Sequence, residues 1–189
     1  LAFELEFLAG WRSATGQDWY QEERVWCEPL LDWLTYGLQG DLTFLRDTDA
    51  SVFKGLSSDN RLYANMVAKE YKNPVARWLA DRAEEMDVVW GPFGVRVILC
   101  HDASVEAAPP SGSTSKIFRG AGTAIMRETL EPRGAMVSFR SSEAYTQGHS
   151  HRDSCSFTVF YKTALALDSG IYDEFSSAHH DNYYSRTVA

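Results

Sequence analysis

The feature that most narrows what this chain can fold into is a change of rhythm along it. Before residue 102 apolar residues recur at a spacing of three to four, whereas beyond residue 116 they fall into short alternating runs. Between the two lies a stretch of Ala, Pro, Ser, Gly and Thr, the composition of a connector between structural units. Helices first and strands afterwards predict an α+β chain of two stacked units of different class, not an alternating α/β sheet. The expected division is helices over 1–101, a linker over 102–116 and an antiparallel β unit over 117–189.

Within the first part, Pro29 with Leu30, Trp33, Leu34 and Leu38 predicts a proline-started helix that Gly40 stops. Asn73-Pro74 reads as a cap and first helical residue, followed by Val75, Trp78, Leu79, Arg82 and Met86 at helical spacing. The segment from Gly91 to Cys100 is ambiguous: its β-branched residues favour a strand and its proline a helix. Strand-like runs then cover Ala124 to Leu130, Ala135 to Arg140, Ser156 to Tyr161 and Ala164 to Asp168, with a turn at Glu131-Pro132-Arg133-Gly134. Arg119-Gly120-Ala121-Gly122 lacks the lysine and the strand-to-helix setting of a phosphate loop and reads as a turn or bulge.

Composition excludes several classes. A hydrophobic content of 44% over 189 residues suffices for a core, so disorder is not expected. A net charge of −8 argues against a nucleic-acid surface. It leaves room for a local Arg/His cleft that binds a carboxylate, because screening confines surface fields to about 8–10 Å. No run of about 18 apolar residues is present, so no membrane span is expected. Cys27, Cys100 and Cys155 are too few and too scattered for a disulfide framework and read as core residues. The chain opens at Leu1 without an initiator Met and stops at Ala189 after a strand-like run, which suggests an internal piece of a longer protein. A signal peptide is neither seen nor excluded.

The stretch with most chemistry is Gly148-His149-Ser150-His151-Arg152-Asp153, leading into Ser156-Phe157. In an extended chain His149 and His151 project from one face, an arrangement that suits a metal, or one ligand beside one acid/base group. Asp168 ends the apolar run Ala164-Leu165-Ala166-Leu167, and imidazole with carboxylate matches a zinc ligand set. Two surface histidines and a turn-capping Asp would look the same in isolation. Further on, His179, His180, Asn182, Tyr183 and Tyr184 combine hydrogen-bond donors with ring faces that bind sugars, or form an ordinary polar loop.

In their order and spacing, the segments at 148–157, at Leu167-Asp168-Ser169-Gly170-Ile171-Tyr172 and from His179 to Ala189 together resemble the heparinase II/III-type polysaccharide lyases. The resemblance is strong from about Phe118 onward; the helical part is similar to the family's α/α toroid only in general character. It implies the end of such a toroid followed by the start of a β-sandwich. It further implies that His149 is the active-site histidine and that His151 and Asp168 bind a zinc whose third ligand is expected beyond Ala189. Tyr172, His179, Tyr183 and Tyr184 would line the substrate cleft. Tyr20 is the candidate catalytic tyrosine of the helical part, with Arg24 one helical turn later as a substrate contact; the adjoining Glu22-Glu23-Arg24-Val25-Trp26 departs from the family's glycine-containing motif, and a core or rim role for Tyr20 is the alternative.

The reaction implied is β-elimination at a uronic acid of alginate or a glycosaminoglycan. A base removes the C5 proton, the bond to the oxygen on C4 breaks, and a 4,5-unsaturated uronate results. Because that proton is weakly acidic, the adjacent carboxylate must be neutralised. An imidazole with an unperturbed pKa of about 6.5 suits either task, and a tyrosine can serve as base or return a proton to the leaving oxygen. Zinc would be structural or orienting. The resemblance also implies a periplasmic or secreted protein acting on an anionic polysaccharide, and it leaves a homo-oligomer open. Two rivals stand beside it: a non-catalytic carbohydrate-binding or structural module on the same fold, and a metal-dependent cupin-like oxygenase. The latter usually adds a glutamate where residues 154–157 read Ser-Cys-Ser-Phe.

Overall fold

The computed structural model describes residues 2–45, 55–85, 94–141 and 155–167. They divide into two compact units, one drawn from Leu1–Thr35 and Leu56–Pro110, the other from Tyr36–Gly55 and Ser111–Ala189. The chain first forms helices α1 (Ala2–Thr15), α2 (Tyr20–Gly37), α3 (Ser58–Tyr71), α4 (Pro74–Glu85) and α5 (Gly94–Leu99). Strands β1 (Ser115–Phe118), β2 (Thr123–Arg127), β3 (Met136–Arg140), β4 (Ser156–Tyr161) and β5 (Thr163–Ala166) follow, in one antiparallel sheet whose spatial order is the chain order. Helices followed by an antiparallel sheet is the α+β arrangement that the change of periodicity predicts.

In the helical unit α3 is central, packing against α1, α4 and α5. Its Leu62, Tyr63, Met66 and Val67 supply buried bulk, while Ala64 and Ala68 leave room for close neighbours. A reciprocal cap starts it: the Ser57 hydroxyl accepts the Asn60 N–H at 3.2 Å, and the Asn60 side chain accepts the Ser57 N–H at 3.0 Å. Lys72 ends it in the left-handed region at φ 52°. Asn73 then caps α4 as expected, its side-chain oxygen accepting the Val75 and Ala76 N–H groups at 2.9 and 3.0 Å. Trp78 and Leu79 are buried as their spacing predicts, and Met86 lies outside the described residues.

Two local expectations are corrected. Pro29 does not start a helix but sits inside α2. The helix is nucleated well upstream, where the Asp18 carboxylate accepts the Tyr20 N–H at 3.0 Å and the Glu23 N–H already reaches the Trp19 carbonyl at 3.1 Å. The acceptor that Pro29 forfeits is the carbonyl of Val25, a residue that is 67% exposed. The same helix ends at Gly37 and not at Gly40. Leu38 there turns away into a β-bridge with Phe44, and the Gln39 N–H reaches the Thr43 carbonyl at 2.7 Å. The described part of the ambiguous segment forms the short helix α5, with Val97 buried and the Cys100 N–H bonded to the Arg96 carbonyl at 2.9 Å, while 91–93 lie outside the described residues.

Three buried tyrosines tie the helices through their hydroxyls, each of which donates to a main-chain carbonyl. Tyr20 donates to Leu5 at 2.9 Å, Tyr71 to Tyr20 at 2.8 Å, and Tyr63 to Cys27. Burial pushes all three phenols above their ordinary range, so they remain protonated donors. Arg12 grips Glu70 with a two-pronged pair at 2.8 Å each and lies 4.5 Å from the centre of the Tyr20 ring. Buried Arg77 donates to Asn65 at 2.9 Å and, through Nε, to Asp81 at 2.9 Å. Because a guanidinium only donates, the His101 Nδ1 beside Arg77 Nη1 is an acceptor.

In the second unit the sheet alternates by face. Thr123, Ile125, Arg127, Met136, Ser138, Thr158 and Phe160 point inward and are buried. The Ser138 and Thr158 hydroxyls pair across β3 and β4 at 2.7 Å. Tyr36 packs edge-on against Phe118 and donates its hydroxyl to the Ser113 carbonyl at 2.6 Å. The outer face carries Ile117, Met126, Phe139, Phe157 and Tyr161, all exposed. The first strand opens at Ser115, inside the stretch that reads as connector. The turn at 131–134 joins β2 to β3 as expected, with Gly134 at φ 77°. Of the cysteines, Cys27 is buried and Cys100 half-buried, but Cys155 is exposed in the turn entering β4 at φ 69°, a correction to its expected core role.

The inner face is organised around Arg127. Its guanidinium donates to the carbonyls of Tyr36 at 2.7 Å, Leu38 at 2.5 Å, Thr129 at 2.9 Å and Glu131 at 3.2 Å. Burial lowers its pKa to about 10, which leaves it fully charged at neutral pH. Arg127→Ala strips the donors from several buried carbonyls and should lower stability by about 3 kcal/mol in denaturant unfolding. Arg127→Lys should recover less than half of that loss, because an ammonium cannot span the same four acceptors. Among the tyrosines, Tyr20→Phe should cost about 1 kcal/mol by the same measurement, for the carbonyl of Leu5 left unpaired.

Candidate functional site

His149, His151, Asp168, Tyr172, His179, Tyr183 and Tyr184 lie outside the described residues, whereas Tyr20 and Arg24 lie within them. The sheet does specify where the chain that carries the histidines departs and returns. It leaves β3 after Arg140 and re-enters β4 through Cys155, whose N–H bonds the Arg140 carbonyl at 2.8 Å. Arg140 and Ser156 are direct cross-strand partners. Ser141 and Cys155, the described residues on either side of 142–154, therefore lie at one end of the sheet.

β5 runs back towards that same end, since it is antiparallel to β4 with Ala166 opposite Val159. Leu167, the residue before Asp168, is the last described there. The β1–β2 turn stands at this end too: the Ala121 N–H reaches the Phe118 carbonyl at 3.1 Å, Gly122 adopts φ 64°, and the Ser141 N–H bonds the Gly122 carbonyl at 2.8 Å. Arg119-Gly120-Ala121-Gly122 is thus a tight turn, as its composition predicts.

This arrangement brings in two cations that reading along the chain did not single out. Arg119 lies on the β1–β2 turn and is exposed, and Arg140 closes β3 beside it through the Phe118–Thr123–Arg140 register. The only sequence signal for them is that each basic residue abuts the end of a strand. Pairing, which decides that the two ends coincide, is not local information.

Tyr20 is 2% exposed, and its hydroxyl is committed to the Leu5 carbonyl. Desolvation raises its pKa, which disfavours the phenolate a base would need. This geometry is that of a packing residue. Arg24 lies on the outer side of α2, paired with Glu28 at 2.9 Å and 5.4 Å from the centre of the Tyr71 ring. It borders a shallow groove with Gln21, Glu28 and Asp32. Among the described residues no group of three or more His, Cys, Asp or Glu side chains stands together as a metal site; His151 and Asp168 are not among those residues. No described helix is long and apolar enough to cross a membrane.

No family model matches the chain, and no curated protein matches it. Solved structures do. A heparinase III with methylated lysines is 18% identical and superposes with a TM-score of 0.55 over 79% of this chain and 20% of its own. A second heparinase III structure is 17% identical, with a TM-score of 0.59 over 87% of this chain and 23% of its own. The chain thus spans between a fifth and a quarter of the length of the structures it matches, and over that span its fold is similar to theirs.

Proposed function

We propose that this chain carries the active-site segment of a polysaccharide lyase that cleaves uronic-acid-containing polysaccharides, of the alginate or glycosaminoglycan class, by β-elimination. The observation that carries this reading is topological. Ser141 and Cys155, the described residues that flank the 142–154 stretch containing His149 and His151, stand at one end of a single sheet with Arg119 and Arg140, and β5, which precedes Asp168 in the chain, runs towards that end. The similarity of fold to heparinase III agrees with it. The exposed Ile117, Met126, Phe139 and Phe157 of the outer face are in keeping with a β-sandwich, whose second layer would cover them.

In this reading the substrate carboxylate is neutralised by hydrogen bonds and positive charge at that end, with Arg119 as the cation within the turn. His149 is assigned to take the C5 proton or to hold the carboxylate. As the C5–H electrons form the C4=C5 bond, the bond from C4 to the leaving oxygen breaks, and that oxygen receives a proton. Tyr172, His179, Tyr183 and Tyr184 are assigned to the sugar rings. His151 and Asp168 are the proposed zinc ligands, and a zinc bound there would hold the two chain segments in place, the elimination needing no activated water. A periplasmic or extracellular site of action goes with a polymeric substrate.

A second reading is favoured by one specific observation. The Tyr20 hydroxyl is committed to Leu5, so the helical part offers no free phenol at the position expected of a catalytic tyrosine. On that ground a non-catalytic carbohydrate-binding module of the same fold is the alternative. The two part on product chemistry. Incubation of the intact protein with uronate polymers should give products that absorb in the ultraviolet through a new C=C bond. Products formed only with uptake of water and no such absorbance would make the protein a hydrolase, and no products at all would favour the module.

His149→Ala should reduce turnover by at least a thousandfold while leaving the unfolding midpoint and bound zinc unchanged. Substantial residual activity in a folded variant would move the chemistry to another residue.

A further inference from the structure

The opposite end of the sheet holds a second polar cleft. The β2–β3 turn, the β4–β5 turn and the tip of the Leu38–Phe44 hairpin enclose a space of about 560 Å³, within the size range of small-ligand sites. Arg133, Lys162, Tyr161, Glu128 and Thr129 line it, with Gly40 and Gly134 as its bare walls. A strand of five residues separates this end from the one where β3 hands over to the histidine segment, about 16 Å at ~3.3 Å per residue.

The glycines are required by the shape of the cleft. A β-carbon at Gly40 would lie 3.3 Å from the Phe160 ring and 3.5 Å from the Arg133 Cα. One at Gly134, where φ is 77°, would lie 2.7 Å from the Glu128 carboxylate. That carboxylate is already engaged, accepting the Ala135 N–H at 3.0 Å. Lys162 sits at φ 61°, a left-handed position that a non-glycine residue adopts only at some cost. Its ammonium lies 5.3 Å from the centre of the half-exposed Tyr161 ring. The Arg133 guanidinium is largely exposed and touches Glu131 only in a solvent-screened pair at 3.3 Å. Two accessible cations beside an exposed aromatic ring suit an anionic sugar, the ring against its face and the cations at its carboxylate or sulfate.

We infer that this cleft is a non-catalytic subsite for a charged sugar residue of an anionic polysaccharide, remote from the reacting end of the sheet. The ligand class rests on the uronate reading above; the site itself rests on the cleft. It would hold a distal part of a long chain and so favour polymers over short oligosaccharides.

Lys162 supplies a direct readout. In the intact protein carrying His149→Ala, so that the probe is not consumed, acetylation of lysines by an amine-reactive reagent is mapped by mass spectrometry. The probes are heparan sulfate and alginate oligosaccharides, with a maltodextrin of matched length as the neutral control. An anionic probe should lower labelling of Lys162 at least fivefold, the maltodextrin should leave it unchanged, and Arg133→Ala should abolish the protection. Unchanged labelling with every probe, equal protection by maltodextrin, or full protection in Arg133→Ala would each overturn the inference. Protection of Lys162 in a protein whose wild-type form yields no unsaturated products would uphold the subsite and defeat the lyase reading. Unsaturated products without protection would do the reverse.

Discussion

The sheet unit depends on a buried cation that is held by carbonyls and not by a carboxylate. Arg127 reaches the main chain of Tyr36 and Leu38, where α2 ends, and of Thr129 and Glu131, where β2 turns towards β3. Both are places where backbone acceptors lack regular partners, a helix terminus and a loop. One planar fork with five donors satisfies them together, and the negative end of the helix dipole adds to the attraction. The position of the Leu38–Phe44 hairpin against β2 follows from this arrangement. So does the cleft lined by Gly40, Arg133 and Lys162 at that end of the sheet.

The helical unit uses a related solution with uncharged groups. Tyr20, Tyr63 and Tyr71 bury large rings and spend their hydroxyls on main-chain carbonyls, so each brings apolar area into the core without stranding a polar atom. The price of this arrangement is chemical: a phenol that anchors the backbone is no longer available for proton transfer. This is why the placement of Tyr20 bears on function as well as on stability.

Antiparallel topology does the organising work for the proposed chemistry. In a meander, alternate connections fall at the same end of the sheet, so residues far apart in the chain are brought together without a dedicated scaffold. The β1–β2 turn and the residues that flank 142–154 share one end, towards which β5 runs, and the β2–β3 and β4–β5 turns share the other. The two ends proposed for reaction and for holding are one strand length apart because of that alternation.

Much of the fold was legible along the chain wherever the signal was local. The cap at Asn73, the strands at 136–140 and 156–161, and the turns at 119–122 and 131–134 each rest on neighbouring residues, and each was read from them. The start of α2 is masked by Pro29, a strong local signal for a first turn, while Asp18, whose carboxylate accepts the Tyr20 N–H and begins the helix earlier, is a weaker one. Helix α3 has no clear signal along the chain, since its Asn, Arg and Lys mask a segment buried on nearly every side. By itself the sequence determined the α+β order, the acidic character and the grouping of histidines, carboxylate and tyrosines that points to sugar chemistry. Only the tertiary structure decided that Arg127 is buried and carbonyl-bound, that the Tyr20 hydroxyl is spent in the core, and which strand ends coincide. The physical reason is that burial and strand pairing depend on partners distant in sequence, whereas capping, turn chemistry and periodicity are set by residues within a few positions of one another.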